Sequence, residues 1–113
     1  MSYQGFVIHQ STCSSINGKG YDFWIGINGN IIPAASETDK RYIHICLEGD
    51  FSHKINELSS DQKEQFFQAG KLIQRLADRY RLTSYILLPH DASCPGAFFP
   101  WNELVISPLD GYH

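Results

Sequence analysis

The chain has 113 residues, a net charge of −3 and 42% hydrophobic residues, enough to bury one core without disulfides, so residues 1–113 are read as a single domain. No run of Lys or Arg could neutralise a track of phosphates, which excludes a nucleic-acid surface, and no apolar stretch approaches the ~20 residues of a membrane span. The start, Met1-Ser2-Tyr3-Gln4-Gly5, has neither the basic nor the apolar region of a secretory signal. The expectation is therefore a soluble domain, made in the cytoplasm without a signal peptide or excised from a longer protein; it is expected to be a monomer. Three cysteines, Cys13, Cys46 and Cys94, suit a disulfide framework poorly and leave at least one free or metal-bound. A Cys13 to Cys46 bridge stays open for an oxidising compartment.

Gly5-Phe6-Val7-Ile8-His9 is a β-branched and aromatic run that predicts a buried strand ending on His9. Residues 10–20 are rich in Ser, Thr, Asn and Gly and predict a loop. Tyr21 to Ile27, then Asn28-Gly29, then Asn30 to Pro33 predicts a hairpin, with Asn-Gly as a type I′ turn. After a polar connection, Tyr42 to Gly49 predicts a strand with Ile43, Ile45 and Leu47 on one face and His44, Cys46 and Glu48 on the other.

Ser59 and Gln62 have capping-box spacing. Beyond them Phe66, Ala69, Ile73, Leu76, Ala77 and Tyr80 recur at three- and four-residue intervals, which predicts a helix of about five to six turns packed by one face on a sheet. Phe66, Phe67 and Tyr80 are expected in the core. Ser84 to Leu88 predicts a strand stopped by Pro89, so that His90 stands at a strand end as His9 does. Phe98 to Val105 predicts a closing helical turn, with Trp101 used for packing. Strands, then a helix, then a strand make a small α/β domain: a single mixed β-sheet with one long helix packed on it and a short C-terminal helical turn.

Two strand-end histidines, with Cys94 four positions after His90, offer two imidazoles and a thiolate to one point. Three such donors and an open fourth position are the ligand set of a catalytic zinc. The local His-x-x-x-Cys spacing carries little by itself; it depends on the fold bringing His9 to it.

Four blocks extend this reading. Phe6-Val7-Ile8-His9, Gly20-Tyr21-Asp22-Phe23 with Asn28-Gly29, Ile43-x-Ile45-x-Leu47-x-Gly49-Asp50-Phe51, and His90 with Cys94-Pro95-Gly96 and Trp101 occur in the order seen in the zinc N-acetylmuramoyl-L-alanine amidases of the Amidase_2 type, which include phage endolysins and peptidoglycan recognition proteins. The chain resembles that family from Phe6 to about Val105, as an unusually short member. The resemblance implies zinc-dependent hydrolysis of the amide between N-acetylmuramic acid and L-alanine in peptidoglycan or its muropeptide fragments. It implies Zn2+ on His9, His90 and Cys94, and it makes Tyr21 similar to the family residue that hydrogen-bonds near the metal water or the oxyanion.

The sequence also departs from that pattern. Only Asp91, Ala92 and Ser93 separate His90 from Cys94, a shorter loop than most members have, although four peptide steps span up to ~14 Å and can still chelate. Ala92 stands where active members commonly carry Lys or Thr, Cys46 where many carry Glu, and His44 where Gly is usual. Ser93, His44 and Asp91 are the candidates to replace the missing donor, Glu48 a candidate base. His44 and Glu48 otherwise read as surface strand residues, Asp91 as a turn cap or partner of His90. Residues 10–20 predict only a loop where the family usually has a helix between the first histidine and the tyrosine. The alternative function is therefore a catalytically weak or inactive peptidoglycan-binding or regulatory domain of the same fold; a structural zinc module is a third reading.

Overall fold

The computed structural model describes residues 3–11, 21–33, 41–51, 58–82, 86–89, 94–96 and 98–104. His90, Asp91, Ala92, Ser93, Cys13 and the expected loop of residues 12–20 lie outside them.

The strands are β1 (Gly5–Gln10), β2 (Phe23–Ile25), β3 (Ile31–Pro33), β4 (Tyr42–Leu47) and β5 (Ile86–Pro89). They form one five-stranded sheet in the order β3-β2-β4-β1-β5. β4 and β5 flank β1 in parallel, β2 runs parallel to β4, and β3 runs antiparallel to β2. The expected mixed sheet is borne out. Four parallel strands put their carboxyl ends on a common edge, where ligands of open α/β sheets bind.

Helix α1 (Ser60–Arg79) starts where the capping-box spacing placed it. Ser59 Oγ accepts from the Gln62 N–H at 3.1 Å, and Gln62 Oε1 accepts from the Ser59 N–H at 2.9 Å. Phe66, Ala69, Leu72, Ile73 and Leu76 on α1 share a core with Phe6, Ile8, Ile43, Ile45 and Leu47 of the sheet. The alternation along each strand therefore turns Val7, His9, His44 and Cys46 to the face away from the helix. A 3-10 turn, Trp101–Leu104, packs on α1, with Leu104 and Phe99 in the core and the Phe99 and Trp101 rings 4.8 Å apart.

Three expectations are corrected. Phe67 is 37% and Tyr80 is 40% exposed: Phe67 follows Phe66 by one helical step and so points off the buried stripe, under Lys71 Nζ at 5.3 Å, while Tyr80 is the C-cap and packs edge-on against Tyr3. The hairpin turn is not type I′, which needs positive φ at both central residues. Gly29 N–H bonds to Gly26 C=O and Gly26 N–H to Asn30 C=O, a three-residue loop in which Gly29, at φ +91, takes the left-handed position. Pro89 does not precede the strand's end but completes it, opposite Ile8; among the described strands β5 is at an edge, where a missing N–H is tolerated.

Gly5 lies opposite Ile86, and a Cβ there would run into the Ile86 carbonyl oxygen. Because that atom is backbone of the paired strand, Gly5→Ala must push β5 off β1. The expected cost is about 1–3 kcal/mol, as for other overpacked sites, read as a lower urea midpoint at unchanged slope.

Candidate functional site

β1 delivers His9 to its carboxyl end, where the residue is 1% exposed. The segment is held there by a run of hydrogen bonds to the chain after β4. Ser11 N–H bonds to Leu47 C=O, the Gly49 N–H donates to Ser11 Oγ at 2.8 Å, and the Phe51 N–H donates to Gln10 Oε1 at 2.6 Å. Phe51 C=O in turn accepts from Phe98 N–H, and Gly96 C=O accepts from Phe99 N–H. One connected path thus runs from the residues after His9, through Phe51, to the loop that carries Cys94.

That path brings His9 and Cys94 together. Cys94 Sγ lies 3.9 Å from His9 Nδ1 in the buried interior, across 85 positions of sequence. Cys94 is 2% exposed. The two are therefore adjacent, as expected of common ligands. Among the described residues no group of three His, Cys, Asp or Glu is arranged to hold a metal, and the third expected ligand, His90, is outside them.

The other ring nitrogen of His9 has a partner that the sequence did not single out as such. His9 Nε2 and His44 Nδ1 are 2.8 Å apart, with ring centroids 5.0 Å apart and planes inclined by 34°. In the parallel pairing Val7 lies opposite His44 and His9 opposite Cys46, so His44 is two residues back along the neighbouring strand, on the same face. The expected surface histidine is instead half-buried against His9. Alternation alone had placed His44 with Cys46; only the adjacency of β4 to β1 adds His9. Asp22 fixes the backbone of His44 from the other side, donating its N–H to His44 C=O at 2.7 Å and accepting the His44 N–H on Oδ2 at 2.8 Å.

Tyr21 immediately precedes this clamp. Its ring is 5.8 Å from that of Trp24, and Trp24 lies opposite Cys46 in the sheet. Tyr21 is thus half-buried beside the face that carries His9. Glu48, considered as a base, accepts the Ile27 N–H at 2.9 Å and so ties β4 to the β2–β3 turn.

A second missed residue is Gln65. It is fully buried on α1, and its Nε2 donates to Ile25 C=O at 3.1 Å and to Glu48 C=O at 2.9 Å. It ties the ends of β2 and β4 to the helix. A polar residue inside an apolar stripe is the signal that could have found it.

No protein-family profile matches the chain, and no curated protein sequence does. Solved structures do. The chain is similar to the N-acetylmuramoyl-L-alanine amidase LysC from Clostridium intestinale URNW, with 21% identity, a TM-score of 0.67, and 92% of this chain and 83% of that one covered. The endolysin amidase LysCS from the same organism gives 21% identity, a TM-score of 0.68, and 92% and 82% coverage. Drosophila PGRP-LB gives 25% identity, a TM-score of 0.61, and 86% and 76% coverage. The fold is the one the four sequence blocks led us to expect.

Proposed function

We propose that the protein is a zinc-dependent amidase that hydrolyses the bond between N-acetylmuramic acid and L-alanine in peptidoglycan or its fragments. The observation that carries the reading is the buried approach of Cys94 Sγ to His9 Nδ1 at 3.9 Å. With zinc bonds of ~2.3 Å to sulfur and ~2.0–2.1 Å to nitrogen, two ligands at a tetrahedral angle stand ~3.6 Å apart, so this pair fits with little adjustment. His90 is the third ligand of the proposal: it follows Pro89 by one peptide step, and Pro89 is paired with Ile8, the neighbour of His9. The named amidases that share the fold supply the reaction class.

Bound there, zinc supplies a polarised carbonyl and a water acidic enough to attack near neutral pH. Two neutral imidazoles and one thiolate leave the centre a single positive charge for both tasks. The protein's own residues do the rest. The hydrogen-bonded path through Phe51 holds the two ligand segments in register, burial of His9 and Cys94 keeps bulk water from competing, and Tyr21 offers a hydroxyl beside the reacting face. As a donor to the developing oxyanion it contributes on the order of 2.7–4 kcal/mol of transition-state stabilisation.

The test is a purified protein supplied with zinc and a muramoyl-L-alanyl peptide. One zinc per chain and release of a peptide with a free L-alanine amine are expected; no bound metal and no peptide release overturn the proposal. The second reading, a domain that binds muropeptide without cutting it, draws on Ala92 in the sequence and on the engagement of Glu48 with the turn. Binding without cleavage at high protein concentration and long incubation selects it.

A further inference from the structure

We infer that His44 is a positioning residue for His9: its Nδ1 accepts a hydrogen bond from His9 Nε2–H and so holds His9 in the tautomer whose bare Nδ1 faces Cys94. The inference rests on the zinc reading for its consequence, though not for the hydrogen bond itself.

The 2.8 Å contact between the two ring nitrogens holds one proton. If that proton sits on His44, the neutral ring of His9 carries its own proton on Nδ1, directed at the sulfur 3.9 Å away, and no lone pair is offered there. If it sits on His9 Nε2, the Nδ1 lone pair points at the space in front of Cys94. Only the second arrangement makes a ligand of His9. Ligating histidines generally use their other N–H in this way, with a carboxylate, a backbone carbonyl or a water as acceptor. Here the acceptor is an imidazole from the adjacent strand.

Two features fix where the His44 ring stands. Its backbone is clamped on both its N–H and its C=O by Asp22, and the β1–β4 register sets it two residues behind the position opposite His9. An imidazole in this place, unlike a carboxylate, orients His9 without adding negative charge beside the proposed metal.

The experiment compares the protein with His44→Leu, which fills space without accepting, and His44→Asn, whose Oδ1 stands near the place of the imidazole Nδ1. Nitrogen-15 NMR of the metal-free protein should show His9 protonated on Nε2 and bare on Nδ1. His44→Leu should lose that preference and weaken zinc about 10–100-fold in chelator competition, the usual effect of removing such a partner; His44→Asn should restore most of both. Thermal unfolding of each variant separates loss of the hydrogen bond from loss of the fold. His9 protonated on Nδ1, or a folded His44→Leu that keeps both tautomer and affinity, overturns the inference. Should the expected tautomer be found in a protein that binds no zinc, the metal reading falls and the hydrogen-bond assignment stands.

Discussion

Cys94→Ser is expected to abolish amide hydrolysis and to remove the thiolate-to-metal charge-transfer band of the cobalt-substituted protein. Serine keeps the size of the side chain but replaces a soft, readily ionised donor by a hydroxyl that stays protonated near neutral pH, so under the proposed zinc site one of three ligands is lost while the surroundings are kept. Removing groups that only orient a ligand already costs about 10–100-fold in affinity or activity. Removing the ligand itself should exceed that, so a fall of more than ~100-fold in kcat/KM is expected. The substitution buries a hydroxyl at a residue only 2% exposed, at a cost of about 1–3 kcal/mol, and a melting curve shows whether the variant is still folded. A folded variant that retains the cobalt band breaks the assignment of Cys94 to the metal.

The second large effect is expected from Phe66→Ala. Phe66 is 1% exposed and packs on Phe51 at 5.7 Å and on Phe99 at 5.3 Å between ring centroids, while Phe51 and Phe99 meet edge-on at 4.9 Å. Removing a phenyl ring from such a cluster costs about 3–5 kcal/mol, a large share of the ~5–15 kcal/mol that separates a folded domain from its unfolded chain. Urea unfolding should show the midpoint falling accordingly, with Phe66→Leu recovering part of it. The consequence reaches the site, because the backbone of Phe51 joins Gln10 to Phe98. Loosening the ring cluster should therefore also weaken binding at the proposed zinc site in the molecules that remain folded.

Much of this was legible in the residues. Strand alternation and strand-end placement singled out His9, and the capping box and apolar stripe located α1, because both are signals of near neighbours in sequence. The pairing of Cys94 with His9 followed from the order of the blocks. What was not legible depends on which strand lies beside which. His44 reads as a surface residue until β4 is placed against β1, and Gln65 breaks its stripe for the sake of two carbonyls on other elements. The turn at Asn28-Gly29 was misjudged for a smaller reason: Asn-Gly is shared by several hairpin loops, and Gly26 and Asn30 decide which forms. Phe67 and Tyr80 were misjudged by hydrophobicity alone, since one helical step separates a core phenylalanine from an exposed one.

The strand order has a consequence for how the molecule is made. Among the described strands β1 precedes the other four in sequence, yet its two neighbours are β4 and β5, and β5 is the last of the five. Its pairings on both sides are parallel and close long loops before they return any stabilisation, which makes such sheets slow to fold. As the chain leaves the ribosome, Phe6, Val7 and Ile8 must wait unpaired until β4 emerges, and on one edge until β5 does. β1, an interior strand of the finished sheet, is thus the described strand with the longest exposure to wrong partners during synthesis.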